Sequence, residues 1–335
     1  MEMNFPLVSI VTAVYNGEEY LAECIQSVLA QSYSNWEYII ANNSSTDRTG
    51  EIAERYAKED KRIRVHHFDE FVNVIESHNR ALRLLSLESK YCKVVSADDM
   101  LFSDCVARLV EVAESSPAVG IVGSYLLRGG GKSWKVLCDG LPYTCSVFSG
   151  REICRGQLLG GTGPYVFGSP TSVLYRSDLI RNEKSFYPNS REQADLSVCY
   201  KILKTADFGM VHQVLSYSRV HKRTLGKEAR RAGIQEGSFL MDLLEYGPVY
   251  LTNDEFEDRL RDALSDYYTY LAVGLLKFRD KKFWNYHKAL LQEMGAPLLS
   301  ARLAKALCLQ LMEWLLNPKH TVEHMLGRHK QEMWK

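Results

Sequence analysis

The run Leu7-Val-Ser-Ile-Val-Thr-Ala-Val14, followed at once by Tyr15-Asn16-Gly17, decides how the rest of the chain is read. It is apolar and rich in β-branched residues, as expected of a strand covered on both faces. Glu18 to Gln31 follows with helical spacing, Leu21, Ile25, Val28 and Leu29 sharing a face. The alternation then repeats. Trp36 to Ala41 predicts a strand, Asp47 to Lys58 a helix, Ile63 to His67 a strand and Val74 to Leu85 a helix with Asn73 as its N-cap. Tyr91 to Ser96 is the next strand, Ser103 can cap a helix running to Glu114, and Val119 to Leu127 is a further strand. This rhythm predicts an α/β fold with a doubly wound, mostly parallel sheet.

The second half changes character. Arg128 to Tyr143 predicts a loop or hairpin excursion, and Ser149 with Glu152 fits a capping box. Gly160 to Ser169 is a glycine-rich loop, Thr171 to Tyr175 a strand, Gln193 to Lys204 a helix, and Gly209 to Val220 two short strands. From about Lys227 the pattern is helical, with a second capping box at Thr252 and Glu255 and a stripe of Leu260, Leu264, Tyr267 and Leu271. The expected organisation is a catalytic domain over 1–226 and a helical C-terminal region over 227–335.

Composition narrows the class. The 335 residues are 46% apolar and 24% charged, ordinary for a globular chain with a large core. Lys+Arg and Asp+Glu are 41 each, so broad electrostatic capture of nucleic acid is not expected. The eight scattered cysteines contain no C-x-x-C pair and predict reduced, mostly buried thiols in a cytoplasmic protein. Neither a basic, apolar leader nor an uninterrupted apolar run of about 20 residues is seen, so no signal peptide and no spanning helix are expected.

In open α/β sheets ligands bind beyond the carboxyl ends of the strands. Tyr15, Asn16 and Gly17, then Asn42 to Asp47, then Ala97, Asp98 and Asp99 should therefore converge on one edge. Asp98-Asp99 is the sharpest feature. Adjacent carboxylates repel unless a cation, hydrogen bonds or solvent relieves them, and hard oxygens suit Mg²⁺ or Mn²⁺ shared with substrate phosphates. A helix-entry role for the same acids competes evenly with this reading. No G-x-G-x-x-G or Walker A pattern follows the first strand, which disfavours dehydrogenase and P-loop chemistry. Tyr15 could stack on a base, and Asn42 and Asn43 could meet a base edge or serve as ordinary turn residues.

Taken together, Val8-Ser-Ile-Val-Thr-Ala-Val-Tyr-Asn16, Ser27-Val-Leu-Ala-Gln-Ser-Tyr33, Asn42-Asn-Ser-Ser-Thr-Asp47, Val95-Ser-Ala-Asp-Asp99, Ala194-Asp195 and Leu215-Ser-Tyr-Ser-Arg-Val-His221 resemble glycosyltransferase family 2, nucleotide-sugar enzymes of the GT-A fold. The resemblance covers about residues 5–225. It implies that Thr12 and Tyr15 line the nucleotide base. Asn42 and Asn43 replace the usual Asp-Asp pair, and Ser96 replaces the first acid of the D-x-D. It places donor binding on Ala97 and Asp98, a Mn²⁺ or Mg²⁺ site on Asp98, Asp99 and His221, and the acceptor-activating base on Asp195, with Glu192 as the competing base. The implied partners are a nucleotide-diphosphate sugar, UDP-linked by expectation, and a glycan or lipid-linked acceptor in polysaccharide, lipopolysaccharide or glycoconjugate assembly.

Chemical logic agrees. A metal-neutralised nucleotide diphosphate leaves without a protein acid, so one base on the opposite face suffices and direct displacement inverts the anomeric carbon. A nucleotidyltransferase and a decayed sugar-nucleotide- or glycan-binding module are the competing readings. His78 and Arg80 are placed either near the donor phosphates or on a solvated helix face, and Gly168-Ser-Pro-Thr171 in an acceptor-side loop or a plain turn. His320 and His324, at i,i+4 spacing without acidic company, are expected on a solvated helix. Leu299 to Leu316 is expected to pack against preceding helices or a second copy; the competing occupant is a lipid surface at the inner face of the membrane.

Overall fold

The computed structural model describes residues 5–130, 133–161, 166–188, 193–221, 234–295, 298 and 301–317. Contacts divide the chain into two compact units, Met1–Thr224 and Leu225–Lys335.

In the first unit the sheet order is β3-β2-β1-β4-β9-β6-β10-β5. Its strands are β1 (Val8–Val14), β2 (Trp36–Asn43), β3 (Ile63–Phe68), β4 (Tyr91–Val94), β5 (Met100–Leu101), β6 (Val119–Gly130), β7 (Ser133–Leu137), β8 (Val147–Phe148), β9 (Val173–Arg176) and β10 (Asp207–Arg219). Strands β3, β2, β1 and β4 run parallel, as do β6 and β10, while β9 lies antiparallel between β4 and β6. The crossover helices are α1 (Leu21–Leu29), α2 (Thr49–Glu59), α3 (Val74–Leu82) and α4 (Cys105–Glu114), followed later by α5 (Gly150–Leu159), α6 (Ser177–Arg181) and α7 (Ala194–Leu203). The expected mostly parallel α/β sheet is present.

Residues expected to be inward form the core. Val8, Ile10, Leu21, Ile25, Val28, Tyr38 and Ile40 are fully buried, with Cys24 and Cys105 among them. Six of the eight thiols are buried and none of the eight is in a disulfide, Cys145 and Cys308 being exposed.

Several boundaries differ from expectation. β2 continues through Asn42 and Asn43, which pair in register with His67 and Phe68, so both amides belong to the strand and not to the turn after it. Residues 207–219 form one strand instead of two, because bulges between Val211 and Val214 and between Val214 and Ser216 break the alternation without ending the pairing. α4 starts at Cys105 with Asp104 as N-cap, so Ser103 does not cap it, and Ser149 stands at the N-cap of α5 without a side-chain bond. Asn73 does cap α3, its side chain accepting from the Glu76 amide at 2.9 Å.

The second unit contains α8 (Ile234–Tyr250), α9 (Asn253–Leu276), α10 (Lys281–Glu293) and α11 (Ala301–Leu316). Both capping-box bonds open α9: the Glu255 amide donates to Thr252 Oγ1 at 3.3 Å and the Thr252 amide to Glu255 Oε2 at 3.0 Å. Phe283 and His287 are fully buried, and the Tyr267 hydroxyl lies 2.6 Å from His287 Nδ1. α11 packs on α9 through one face only. Leu303 and Ala306 are buried, whereas Leu309, Met312, Leu315 and Leu316 are exposed, Leu315 at 80%. Complete burial of the 299–316 stripe is therefore not met within the unit. No described helix is long and apolar enough to cross a membrane. His320, His324 and the 222–233 stretch that includes Lys227 lie outside the described residues.

Candidate active site

The carboxyl ends of β1 and β2 are zipped to one another. Asn16 and Ser44 both take left-handed backbone (φ 50° and 58°) as the chain leaves each strand. The Asn16 amide donates to Ser45 Oγ at 2.9 Å, and Asn16 Oδ1 accepts from the Thr46 amide at 2.8 Å. The Gly17 amide donates to Thr49 Oγ1 at 2.8 Å. A Cβ on Gly17 would stand 2.6 Å from Val14 Cγ2, so only glycine fits there. Asp47 accepts from the Glu18 amide at 3.1 Å and from the Thr49 amide and hydroxyl. Burial opposes the charge on Asp47, but these donors outweigh it and hold the carboxyl below its ordinary range.

At this end the side chains singled out in the sequence are mostly spent on protein. Thr12 is fully buried; its hydroxyl lies 2.9 Å from both the Val95 carbonyl and the Tyr38 hydroxyl, which ties β1 to the end of β4 instead of facing a base. Asn42 Oδ1 accepts from the Ser45 amide at 3.1 Å, and its Nδ2 lies 3.0 Å from His67 Nδ1. His67 Nε2 is in turn 3.0 Å from Glu54 Oε1. Asn43 closes a two-way amide bridge with Val72, donating to its carbonyl at 2.8 Å and accepting from its amide at 3.1 Å. Tyr15 is 47% exposed, with its ring 4.6 Å from that of Phe71.

The other end is assembled by β5, a two-residue strand that sequence periodicity misses. Met100 and Leu101 pair antiparallel with Tyr217 and Ser216, which sets Asp98-Asp99 beside Arg219 and His221. His221 Nε2 lies 2.9 Å from Asp98 Oδ2, the carboxylate side chain being 34% exposed. Asp99 turns inward instead. It is buried, accepting from the Thr171 hydroxyl at 2.6 Å and from the Arg219 amide at 3.0 Å. Desolvation, followed by the neighbouring Asp98 charge, pushes its carboxyl up to about 6. Ala97 is half-buried beside Gly17.

Three further residues complete this end. Thr171 also accepts from the Ser96 amide at 3.1 Å, so it anchors the Asp98 loop rather than an acceptor loop. Arg219 Nε donates to the Asp98 carbonyl at 3.1 Å, and Nη2 pairs with Glu23 at 2.5 Å. Its guanidinium lies 4.5 Å from the centre of the Tyr20 ring, which also lies 4.9 Å from His221. Beneath them Lys93 is completely buried, donating to the carbonyls of Thr171 and Val173. Burial lowers its ammonium to about 8. A lysine inside the apolar run Tyr91-Cys-Lys-Val94 was the available signal.

Asp195 sits in the first turn of α7, partly buried, and desolvation raises its carboxyl above the ordinary range. Burial and then the Asp195 charge also raise the Tyr187 phenol. The segment before α7 is tied to α3 by Asn79, whose amide bridges the backbone of Tyr187 at 2.8 Å in both directions. Glu192 lies outside the described residues. His78 is bonded to the Val74 carbonyl of its own helix, and Arg80 to Glu70. A cleft of about 320 Å³ lined by Asn79, Leu82, Arg83, Arg181 and Phe186 holds none of the Asp98 cluster.

Comparison with known proteins fits this arrangement. The model of glycosyl transferase family 2 matches residues 9–182. Glycosyltransferase GlyG of Streptococcus pneumoniae is 29% identical over 178 residues, 53% of this chain and 57% of that protein. The putative teichuronic acid biosynthesis glycosyltransferase TuaG of Bacillus subtilis is 28% identical over 219 residues, 64% of this chain and 80% of that protein. Among solved structures, S. aureus TarS 1-349 with UDP-GlcNAc superposes with a TM-score of 0.61 at 15% identity, covering 86% of this chain and 81% of that one. Mannosyltransferase PcManGT from Pyrobaculum calidifontis, in complex with GDP-Man and Mn²⁺, superposes with a TM-score of 0.56 at 17% identity, over 96% and 84%. At such identities the structures speak for the fold, which is of the GT-A type. The family match spans more than half of the chain and runs from β1 through the strand ends that hold Tyr15, Asp98 and Thr171: the chain belongs to glycosyl transferase family 2.

Proposed function

We propose that this enzyme transfers a sugar from a nucleotide diphosphate, with UDP as the expected nucleotide, to a hydroxyl of a glycan or lipid-linked acceptor, inverting the anomeric carbon. The observation that carries the reading is the convergence of Asp98 and His221, 123 residues apart in sequence, at 2.9 Å on the strand-end edge of a family 2 domain. A relative named for teichuronic acid biosynthesis and neighbours bound to UDP-GlcNAc or GDP-Man support polysaccharide or related assembly.

The donor set suits a divalent cation. One partly open carboxylate oxygen and one imidazole nitrogen leave most positions to phosphate and water, the usual manner of Mg²⁺ and Mn²⁺ in phosphate sites. Asp98 and His221 would hold the ion, and the chemistry it would supply is positive charge against the leaving diphosphate. Asp99 enters as a positioning residue, since its oxygens accept from Thr171 and Arg219 and fix the backbone that presents Asp98. Asp195 is the base that takes the acceptor proton; its raised pKa brings it closer to the range where proton transfer is efficient.

The test is a panel of nucleotide sugars with Mn²⁺ or chelator, read by thermal shift and then by release of nucleoside diphosphate with oligosaccharide acceptors. A metal-dependent rise in melting temperature with at least one donor is expected, because a ligand of the folded state stabilises it. No donor or nucleoside diphosphate stabilising the protein in the presence of metal defeats the proposal.

A further inference from the structure

We infer that Phe71 is a nucleobase-contacting residue of the donor site, forming with Tyr15 an aromatic platform on which the base of a nucleoside diphosphate stacks. The inference rests on the donor reading above and deepens it. Phe71 follows β3 at the same sheet edge as the ends of β1 and β2, and it is 56% exposed. Its ring lies 4.6 Å from the Tyr15 ring with the planes tilted by 55°, so the two rings form an angled aromatic wall in which a base that stacks on one face meets the other ring at its edge.

The loop that carries Phe71 is held on every side of it. Asn43 bridges both backbone atoms of Val72. The Ser44 hydroxyl donates to the Asp69 carbonyl at 3.4 Å. Arg80 donates to the Glu70 carbonyl at 3.3 Å and pairs with the Glu70 carboxylate at 3.2 Å. The backbone carbonyls of 69, 70 and 72 are thus fixed by side chains from the end of β2 and from α3, while the Phe71 ring is left in water against Tyr15. Ordering a short loop to hold an apolar ring in solvent has no folding advantage, since that ring gains little burial. It has a binding advantage, because a platform ordered beforehand costs nothing to organise when the base arrives.

The same contacts explain how the base is held without the usual acids. Asn42 and Asn43 turn their amides to Ser45, His67 and Val72. Recognition at this end therefore passes from a carboxylate on an imino N–H to ring stacking, which tolerates any base because every base has a π-face.

The decisive measurement is calorimetric binding of UDP, GDP and inorganic pyrophosphate, each with Mn²⁺, to the wild type, Phe71→Ala and Phe71→Trp. Loss of the ring is expected to weaken UDP and GDP about 5- to 100-fold, the range of one base–aromatic stack, and to leave pyrophosphate unchanged. Phe71→Trp is expected to bind the nucleotides within about threefold of wild type. Unchanged nucleotide affinity in Phe71→Ala overturns the inference while the donor reading stands. A parallel loss of pyrophosphate also overturns it, since the loop would then act only as a prop. A wild type that binds pyrophosphate no more weakly than UDP and GDP removes the base site, and one that binds none of the three removes the donor reading with it.

Discussion

The two ends of the strand-end edge solve opposite problems with similar residues. At the β1–β2 end, Thr12, Asn42 and Asn43 occupy motif positions, yet their polar atoms face Val95, Tyr38, His67, Ser45 and Val72, and what meets solvent is a pair of rings. At the β4–β10 end a frame of buried Asp99, Thr171 and Lys93 with half-buried Arg219 leaves Asp98 partly open with His221 at its side. A motif position thus predicts where a residue stands. Whether it touches ligand depends on how much of its bonding capacity the fold has already used.

If the ends divide labour in this way, variants should separate chemistry, phosphate binding and base binding. The largest effect is expected away from both ends, at Asp195→Asn: transfer should fall by about two to four orders of magnitude with donor affinity retained. The base must be ionised to act, so wild-type turnover should rise with pH through the Asp195 pKa, and burial places that rise above the ordinary aspartate range. Near-normal turnover in the variant would move the base to Glu192. Next comes Asp98→Asn, expected to cost about two to three orders of magnitude in turnover through weakened metal-dependent diphosphate binding. Titration calorimetry with Mn²⁺ and pyrophosphate reads this directly. Unchanged binding there would break the assignment of the phosphate end.

How much of this was legible follows from range. The β1 to α3 alternation is written in local periodicity, and the caps at Asn73 and Thr252 are completed within three residues, so sequence suffices for both. Asp98 and Asp99 are legible as a pair. Their division of tasks is not, because it is decided by Thr171 and Arg219, 72 and 120 residues from Asp99. Asn42 and Asn43 look like turn formers, and only pairing with β3 makes them strand. Phe71 is a lone aromatic in a polar loop, and nothing local says that its ring meets Tyr15.

A smaller effect is expected at Lys93→Met, which tests the frame under the phosphate end. Two buried carbonyls, of Thr171 and Val173, lose their donor, so the variant should be less stable by about 1–3 kcal/mol at pH 7. The sign of the pH dependence is fixed by the lowered pKa of about 8. Between there and about 10.4, the ordinary lysine value, the unfolded chain holds a proton that the folded one has released, so wild-type stability contributed by this group rises with pH. The gap between wild type and variant should widen from pH 8 to 10 in urea titrations. A gap that narrows would mean that the buried amine does not titrate there.

The smallest change, Asn42→Asp, probes the comparison at its weakest joint. The substitution restores the acid usual in the family, and if the side chain faced a base it should strengthen UDP binding by returning a carboxylate to an imino N–H. The surroundings argue otherwise. The present amide bridges the Ser45 amide and His67, whose other nitrogen meets Glu54. A carboxylate keeps the first bond and loses the N–H directed at His67 Nδ1, leaving two acceptors face to face unless the ring carries both protons. The expected result is a stability loss of about 0.5–1.5 kcal/mol, read in urea titrations at pH 8. UDP affinity at pH 8 should stay within about threefold of wild type, equivalent to less than about 1 kcal/mol. A tenfold gain for UDP without a matching gain for GDP would show that this side chain does read the base edge, and the contrast between a stacked base end and a polar phosphate end would fail at that residue.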